Sequence, residues 1–268
     1  MNMSLNIGEA LSTGVEKLTT TAGIQLGIAY VVLQLITALG TNSAIATIDT
    51  GTGAGPGAGG MGTPALSLPI GIAGGAALLT LGIILNIALT IVAFRTLAHS
   101  STELGSIPDG VADGLLKPGV FLVIAGIVQG IAIGLGFIAL IIPGIFIMIS
   151  LIFTQIYIAV EDEGPFEALS SSWSLAKGNR FPLFGLGVIL FVISLLASIP
   201  AAIITILSPI VGSVLNYVVT GFLSIFSWGV LVAAYQQLKG ASTTTTTEEP
   251  DDDDGVERLD DDSGFDYA

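Results

Sequence analysis

"EDEGPFEALSSSWSLAKGNR", residues 161–180, is a charged and polar segment between two long apolar stretches. The stretch before it is GIFIMISLIFTQIYIAV (144–160), and the stretch after it is FPLFGLGVILFVISLLASIP (181–200). Each is close in length to the roughly 20 apolar residues that a helix needs to cross the hydrocarbon of a bilayer. The pattern therefore predicts a chain that leaves the membrane, passes along its surface and enters it again.

The overall composition supports a membrane protein. Hydrophobic residues make up 52% of the 268 residues, charged residues only 10%, and the mean hydropathy is +0.88. In soluble domains about a quarter of the residues are charged. The absence of cysteine excludes disulfides, cysteine-based zinc sites and thiol catalysis. Together with the long apolar runs, these values predict an all-α integral membrane fold.

The central apolar run holds two membrane spans. Pro118 to Val160 is 43 residues without a charge, which is too long for one crossing and about right for two. Pro143 breaks helices and Gly144 tolerates unusual backbone angles, so the sequence predicts a tight turn at this pair.

The last apolar run is ambiguous in number of crossings. Residues 181–238 hold two long spans if the chain breaks at LSPIVG (207–212) and Pro200 only kinks the fifth span, or three short spans otherwise. We favour two, which gives six spans in total. They are predicted at residues 22–40, 66–94, 119–142, 145–160, 181–206 and 210–238.

The basic residues give an independent prediction of orientation. In the six-span arrangement all seven fall on one side of the membrane, while the three opposite loops contain only one charge, Asp49. Lysine and arginine favour the cytoplasmic side. We therefore expect a multi-pass protein of the cell membrane with both termini in the cytoplasm. The basic residues are Lys17, Arg95, Lys117, Lys177, Arg180, Lys239 and Arg258.

The C-terminal end is strongly acidic. Eleven of the 21 acidic residues follow Lys239, and the formal net charge of the chain is −14. Such a run predicts a disordered cytoplasmic tail over residues 239–268. An acid excess with few lysines is also typical of proteins from a salt-rich cytoplasm, which predicts a halophilic archaeal source. A solvated tail is the simpler interpretation.

Residues 164–178 predict an amphipathic helix in the membrane interface. Gly164 and Pro165 suit a helix start and Gly178 a helix end. Lys177 lies on the polar face, and the tryptophan is expected at headgroup depth. The three acids ahead of the helix lie where the helix dipole favours negative charge; alternatively, they bind a divalent ion. The apolar stripe consists of Phe166, Leu169, Trp173 and Ala176.

The N-terminus resembles a second copy of this segment. GEALSTGVEKL (8–18) parallels FEALSSSWSLA (166–176), and an apolar span follows each. DGVADGLLKPG (109–119) occupies the same place before the third span. We therefore predict an N-terminal amphipathic helix within residues 1–21 and three units, each an interfacial segment followed by a helix hairpin. Chance recurrence of good helix formers is the alternative.

The block from IIPG (141–144) to NRF (179–181) resembles a family of poorly characterised membrane proteins. That family includes the membrane domain attached to some glycerophosphoryl diester phosphodiesterases and stand-alone bacterial and archaeal relatives. The resemblance implies an all-helical integral membrane fold and no established activity. It rests on Pro143, Gly144, Glu161, Glu167, Ala168, Leu169, Ser172, Trp173, Lys177 and Gly178.

Neutral polar residues and glycines inside the spans are the remaining candidates. Asn86, Gln129, Gln155 and Asn216 form interhelical hydrogen bonds, or line a path for a polar solute. Small residues at four-residue spacing let helices approach closely. Gly126, Gly130 and Gly134 therefore predict packing within the chain, or contact between copies.

No catalytic, metal or cofactor site is predicted. His99 is the only histidine and is expected at the surface, and GTGAGPGAGG (51–60) lacks the lysine of a phosphate-binding loop. Seven basic residues and an acidic tail make nucleic-acid binding implausible. We expect a non-enzymatic protein that organises the membrane, interacts with lipids or serves as an accessory subunit. Its partners are membrane lipids and another copy or membrane protein; the alternative is a transporter or channel for a neutral or apolar solute.

Overall fold

The computed structural model describes residues 5–46 and 67–247, and these residues form helices and connecting turns without any strand. Residues 47–66, which hold most of the predicted glycine-rich loop, and the acidic residues 248–268 lie outside the described part. The helices are α1 (Ile7–Thr19), α2 (Thr21–Ala46), α3 (Gly71–Ala98), α4 (Leu116–Ala139), α5 (Ile141–Ser150), α6 (Thr154–Val160), α7 (Pro165–Ala176), α8 (Arg180–Leu207) and α9 (Pro209–Thr247).

Six segments are long and apolar enough to cross a membrane. The fourth combines α5 and α6, and the other five are formed by α2, α3, α4, α8 and α9. This confirms the predicted all-α membrane fold. The break at Ser208 between α8 and α9 lies within the predicted LSPIVG segment, and Pro200 lies inside α8. The segments are Thr21–Ile45, Gly71–Ala98, Leu116–Ala139, Ile141–Val160, Arg180–Leu207 and Pro209–Ala241.

Glycines bring α2 and α3 into backbone contact. A Cβ atom on Gly75 would lie 2.5 Å from the backbone nitrogen of Ala44, and one on Gly40 would lie 2.8 Å from that of Leu79. No side chain fits between two backbones at this separation. The α2–α3 hairpin therefore depends on the missing side chains of these two glycines.

Helix α1 packs on α9 in the same way. The Asn6 side chain caps α1 by accepting a hydrogen bond of 3.1 Å from the backbone N–H of Glu9. Ala10 and Gly14 are buried, and a Cβ atom on Gly14 would lie 3.1 Å from the backbone nitrogen of Val230. The N-terminal helix is thereby held against the last membrane span.

The best-packed part of the bundle is its charged end, defined as the end where α3, α6 and α9 finish and α2 begins. The opposite end is exposed and apolar, as Ile142 and Leu207 at its two hairpins illustrate. Exposed apolar residues need no protein partner where lipid is the solvent. Fully buried large side chains toward the charged end include Ile91, Phe94, Leu97, Ile156, Ile158, Leu183, Leu186 and Val230.

The predicted turn at Pro143 and Gly144 was wrong by three residues. Helix α4 ends at Ala139, Leu140 is extended, and Pro143 lies in the first turn of α5. A proline is tolerated there because first-turn N–H groups have no partner within the helix. Gly144 instead permits the close approach of α5 to α4, where a Cβ atom would lie 2.6 Å from the Phe137 ring.

The fourth span and the tail also depart from prediction. The fourth span is not continuous, because turns at residues 151–153 separate α5 from α6. Helix α9 continues through Thr247, so residues 239–247 of the predicted disordered tail are helical. The stretch KGASTTTTT (239–247) contains no proline, so no residue in it forces the helix to end with the apolar segment.

The glycine stripe of α4 does not pack within the described part of the chain. A Cβ atom added at Gly126, Gly130 or Gly134 would meet no other atom within 4 Å. The expected intrachain packing is therefore wrong for these three residues. The close contact of α4 is made by Gly136, two residues after Gly134 and therefore on a different face of the helix, where a Cβ atom would lie 2.8 Å from the Cα atom of Gly144.

Two of the three predicted units begin with a helix. Helix α1 precedes α2 and α3, and α7 precedes α8 and α9, whereas residues 109–115 before α4 form turns. The two helices bury equivalent positions: Ala10 matches Ala168 and Gly14 matches Ser172 in the alignment of the two segments, and all four are buried.

Candidate functional site

The polar side chains with the most interhelical bonds gather at the charged end. Of the seven basic residues, Arg258 lies outside the described part, and the other six lie at or near helix termini of this end. Lys117 lies at the start of α4, over the Phe121 ring. The other five form two groups, one around the C-terminus of α3 and one at the junction of α7 and α8.

His99 caps α3. Its ring Nδ1 lies 2.8 Å from the carbonyl oxygen of Arg95, and its backbone N–H donates to the carbonyl of Thr96 at 3.1 Å. The last four carbonyls of a helix have no partner within the helix. The histidine is exposed, as the sequence predicted. It is the hydrogen-bond partner of two of the four terminal carbonyls of α3.

The other two terminal carbonyls of α3 bind side chains from α1 and α9. The ammonium of Lys17 donates to the carbonyl of Leu97, and the amide of Gln236 donates to that of Ala98 at 2.8 Å. A cation at a helix C-terminus also interacts favourably with the helix dipole. The end of α3 is thus the point at which α1 and α9 are joined.

Arg95 in the last turn of α3 holds the neighbouring segments. Its guanidinium donates to the carbonyls of Ala159 and Asp113, both at 2.8 Å, and to that of Val111 at 3.3 Å. It also forms an ion pair of 3.0 Å with Asp162. One side chain therefore connects α3, the α3–α4 connection and the end of α6.

The three acids of the EDE segment point to different partners. Asp162 has a positive φ of 54°, a left-handed conformation that ends α6 and that aspartate tolerates. Glu161 pairs with Lys239 and accepts a hydrogen bond of 2.9 Å from the Tyr235 hydroxyl. The acids are therefore engaged separately, and the described residues contain no group of three metal-ligating side chains.

A cleft of about 340 Å³ opens between α3, α6 and α9 beside this ion pair. Its walls combine charged and hydrogen-bonding groups with an apolar floor. The polar lining is formed by Glu161, Tyr235, Gln236 and Lys239, and the apolar lining includes Ala98, Ile156, Val160 and Val232.

The two glutamates near the cleft differ electrostatically. The hydrogen bond from the Lys239 ammonium lowers the pKa of Glu161. Burial raises the pKa of Glu163, against the opposing effect of the Ser171 hydroxyl. One Glu163 carboxylate oxygen is buried without a hydrogen-bond partner. The pKa values of the two glutamates are thus shifted in opposite directions, downward by the hydrogen-bonded partners of Glu161 and upward by the burial of Glu163.

Ser172 on α7 bridges the break between α5 and α6. Its hydroxyl accepts a hydrogen bond of 3.1 Å from the backbone N–H of Phe153 and donates one of 3.0 Å to the carbonyl of Ser150. The serine is fully buried. A break inside a membrane span leaves backbone groups without partners. This hydroxyl is the hydrogen-bond partner of one backbone group on each side of the break.

The α7–α8 junction places an arginine between aromatic rings. The guanidinium of Arg180 lies 4.3 Å from the ring centre of Phe146 and 5.0 Å from that of Trp173. Its Nε donates to the Ser150 hydroxyl oxygen at 3.0 Å. Its Nη2 is buried without a hydrogen-bond partner. From the sequence, Arg180 indicates only the orientation of the chain, because the approach of Phe146 depends on tertiary packing.

The predicted interfacial helix forms as α7, with two distinct faces. The buried face consists of small residues, namely Ala168, Ser172 and Ala176. Phe166 and Trp173 from the predicted stripe are exposed, at 68% and 39%, and Leu169 is partly exposed. Ala176 therefore belongs to the protein-facing side, contrary to its predicted place in the apolar stripe. Lys177 follows the helix and is exposed.

The four neutral polar candidates make separate contacts. Gln129 donates to the carbonyl of Leu151 inside the α5–α6 break, at 3.3 Å. Asn216 accepts a bond of 2.9 Å from Thr220 one turn further along α9. Asn86 is partly exposed on α3, and Gln155 is exposed on α6. No hydrogen bond seen among the described residues links any two of the four.

We expect Ser172→Ala to destabilise the protein by about 1–3 kcal/mol, because a buried N–H and a carbonyl lose their partner. The exposed Ser174→Ala on the same helix is the matched control and should change stability by less than about 0.5 kcal/mol. Thermal unfolding in a mild detergent measures both. Equal unfolding temperatures for the two variants would show that the break does not need this hydroxyl.

Stability should also depend on pH through Lys17. Burial lowers the pKa of Lys17 from 10.5 to about 8, with a smaller opposing effect of Glu16. Below pH 8 both folded and unfolded chains carry the proton, and the folded state bears a cost of about 3 kcal/mol for the buried charge. As pH rises from 8 to 10.5 the folded protein loses the proton first, so its stability rises relative to the unfolded chain.

The comparison with Lys17→Met isolates this contribution. The free energy of unfolding of the native protein should rise relative to that of the variant between pH 8 and 10.5. Denaturant unfolding in detergent at several pH values measures the difference. A pH-independent difference between the two proteins would contradict a buried, titrating lysine.

Residues 5–238 match the sequence model of a family described as a domain of unknown function, DUF7847. The match spans most of the chain, and the chain belongs to this family. No curated protein and no solved structure matches it. The resemblance to the membrane domain of glycerophosphoryl diester phosphodiesterases stays a prediction.

Proposed function

We propose that this member of the DUF7847 family is a non-enzymatic, lipid-interacting protein that organises the membrane at its charged end. The observation that carries the proposal is the two-faced helix α7. Its small-residue face joins the bundle, and its other face presents Phe166 and Trp173 outward. Exposed aromatic rings next to a lysine at a helix end suit the boundary between headgroups and acyl chains.

The charged end faces the cytoplasm in this proposal. Lysine and arginine are enriched on the cytoplasmic side of membrane proteins, and the six described basic residues all lie at or near this end. The protein accordingly resides in the cell membrane with both termini inside. A membrane partner or a second copy is compatible with this arrangement.

Trp173→Glu should release α7 from the lipid surface, because a carboxylate at this position must remain hydrated. Trypsin cleavage after Lys177 in inverted membrane vesicles, detected by mass spectrometry, should then be faster than in the native protein. Ser174→Glu, an equally new charge on an exposed neighbouring position, is the matched control and should leave the rate unchanged. Equal cleavage in all three proteins would contradict lipid docking of α7.

The same protease also tests orientation. Trypsin added to intact cells should not reach Lys177, whereas trypsin added to inverted vesicles should reach Arg258 in every variant. Cleavage at these residues in intact cells would overturn the cytoplasmic placement.

The transporter alternative has less support. It relied on a shared path formed by Asn86, Gln129, Gln155 and Asn216, and no hydrogen bond given by the described residues joins any two of the four. Solute flux in proteoliposomes that Asn86→Ala abolishes would favour a transporter over the proposed function. We expect lipid to copurify with the protein and no such flux.

A further inference from the structure

We propose that Arg180 and Lys177 at the α7–α8 junction form a site for the phosphate of an anionic lipid headgroup. The site rests on the proposed lipid-interacting function and specifies it by naming the class of lipid. Its parts are a fixed guanidinium, an exposed ammonium three residues earlier in the chain and an adjacent apolar surface.

The guanidinium of Arg180 is held before any ligand arrives. The Nε bond to the Ser150 hydroxyl and the rings of Phe146 and Trp173 fix its position. Neither terminal nitrogen makes a hydrogen bond within the described residues; Nη2 is buried, while Arg180 as a whole is partly exposed. Nη1 is therefore the donor left for a phosphate oxygen, and a charged donor that is already fixed loses little entropy on binding.

The junction carries positive charge that the described part of the chain does not neutralise. The two ion pairs of the described residues involve Arg95 and Lys239 instead. After Glu167, the next acidic residue in the sequence is Glu248. Lys177 and Arg180 are only three positions apart in the chain. The turn between them contains Gly178, which has a φ of 92°. The junction therefore carries two cations at this short separation in the chain.

The surroundings favour a lipid over a free anion. Phe181 follows Arg180 directly and is 91% exposed, and Phe166 and Trp173 on α7 are also exposed. Large apolar side chains at the surface of a membrane protein face acyl chains or the interface. A phosphate bound at Arg180 would thus lie next to surface that suits the chains attached to it.

Native mass spectrometry of the full-length protein tests the site. The protein is reconstituted in nanodiscs of phosphatidylglycerol and phosphatidylcholine, released into mild detergent, and the retained lipids are counted. We expect phosphatidylglycerol to be enriched about fivefold or more over phosphatidylcholine, since each basic residue near the surface contributes about 1 kcal/mol. Arg180→Gln should reduce this enrichment about fivefold, and Lys177→Gln should also reduce it.

Lys117→Gln is the matched control, because Lys117 is an exposed lysine at the start of another span, and it should lower the enrichment less than either junction variant does. Lys177→Gln keeps the test valid if Arg180→Gln fails to fold, since Lys177 is exposed after the end of α7. Equal loss in Lys117→Gln, or unchanged enrichment in both junction variants, would overturn the site.

Two further outcomes separate this inference from the proposed function. Retention of both lipids without preference overturns the phosphate site and leaves the lipid-interacting function in place, whereas retention of neither overturns both. Excess inorganic phosphate should not displace the bound lipid. Displacement would show a site for free anions and overturn the lipid assignment.

Discussion

Gly75→Val should destabilise the protein by about 3 kcal/mol or more, the upper part of the range for overpacking a tight contact. The first atom of the new side chain would lie 2.5 Å from the backbone nitrogen and 2.8 Å from the Cα atom of Ala44. A flexible side chain could move aside, but a helix backbone can do so only if the whole α2–α3 contact separates. Much of the packing of α2 would be lost with it.

Gly130→Val is the matched control. The same substitution in the middle of α4 meets no described atom within 4 Å and should change stability by no more than about 0.5 kcal/mol. Denaturant unfolding in detergent micelles, followed by tryptophan fluorescence, measures both variants. A small effect of Gly75→Val would contradict the close contact of α2 and α3.

The control also examines the alternative that the stripe joins two copies. If Gly130→Val lowers stability as much as Gly75→Val and lowers the apparent mass of the detergent complex, the stripe is an interface between copies. An unchanged mass and stability leaves it facing lipid.

These glycines show what the sequence can predict about packing. The four-residue spacing of small residues is the same at Gly126, Gly130 and Gly134 as in a true contact, and the pattern predicted packing for all three. Spacing describes one helix, whereas packing depends on which face its neighbour approaches. The face that a neighbouring helix approaches depends on how the chain connects the helices, and the spacing of glycines on one helix does not reveal it.

The spans were predictable for a different reason. Long apolar runs without charge are required by the bilayer itself, so hydropathy locates the membrane regions, and the proline and glycine signals at IIPG and LSPIVG divide the two longest runs into two spans each. The break at residues 151–153 has no such signal, because the run LIFTQ contains neither glycine nor proline. The backbone groups at this break are bonded by Ser172, which follows the break in the chain. No local sequence rule connects the break with that serine.

The polar contacts of the charged end were predictable only as a group. The one-sided distribution of basic residues placed Arg95, Arg180 and Lys239 at a common membrane surface. Which acid or carbonyl each would bind depends on tertiary packing: Arg95 contacts residues as distant in sequence as Asp162. The acids of the EDE segment were predicted to lie at the positive end of the α7 dipole or to bind a divalent ion, whereas the structure pairs Glu161 with Lys239 and Asp162 with Arg95.

Arg95→Ala should lower stability by about 3 kcal/mol, because three carbonyls and one carboxylate lose a charged donor. The carbonyls belong to Val111, Asp113 and Ala159, which lie on two different segments. The arginine side chain is only 17% exposed, so water replaces these bonds poorly. The connection before α4 should therefore loosen as well as the end of α6.

Asp162→Asn separates the carbonyl bonds from the ion pair. Asparagine also tolerates a left-handed backbone conformation, so the turn should survive. The Asp162 carboxylate is 57% exposed, and exposed ion pairs contribute at most about 1 kcal/mol. We therefore expect a loss of less than about 1 kcal/mol for Asp162→Asn, well below that for Arg95→Ala.

Both variants are compared by denaturant unfolding in detergent and by the rate at which a glutamate-specific protease cleaves after Glu103, an exposed residue of the connection ahead of α4. Arg95→Ala should accelerate this cleavage, because the connection ahead of α4 loses its anchor on α3, whereas Asp162→Asn should not. If the two variants lost equal stability, the ion pair rather than the three carbonyl bonds would hold the charged end together. The bonds to the carbonyls would then be a consequence of the packing and not a cause of it.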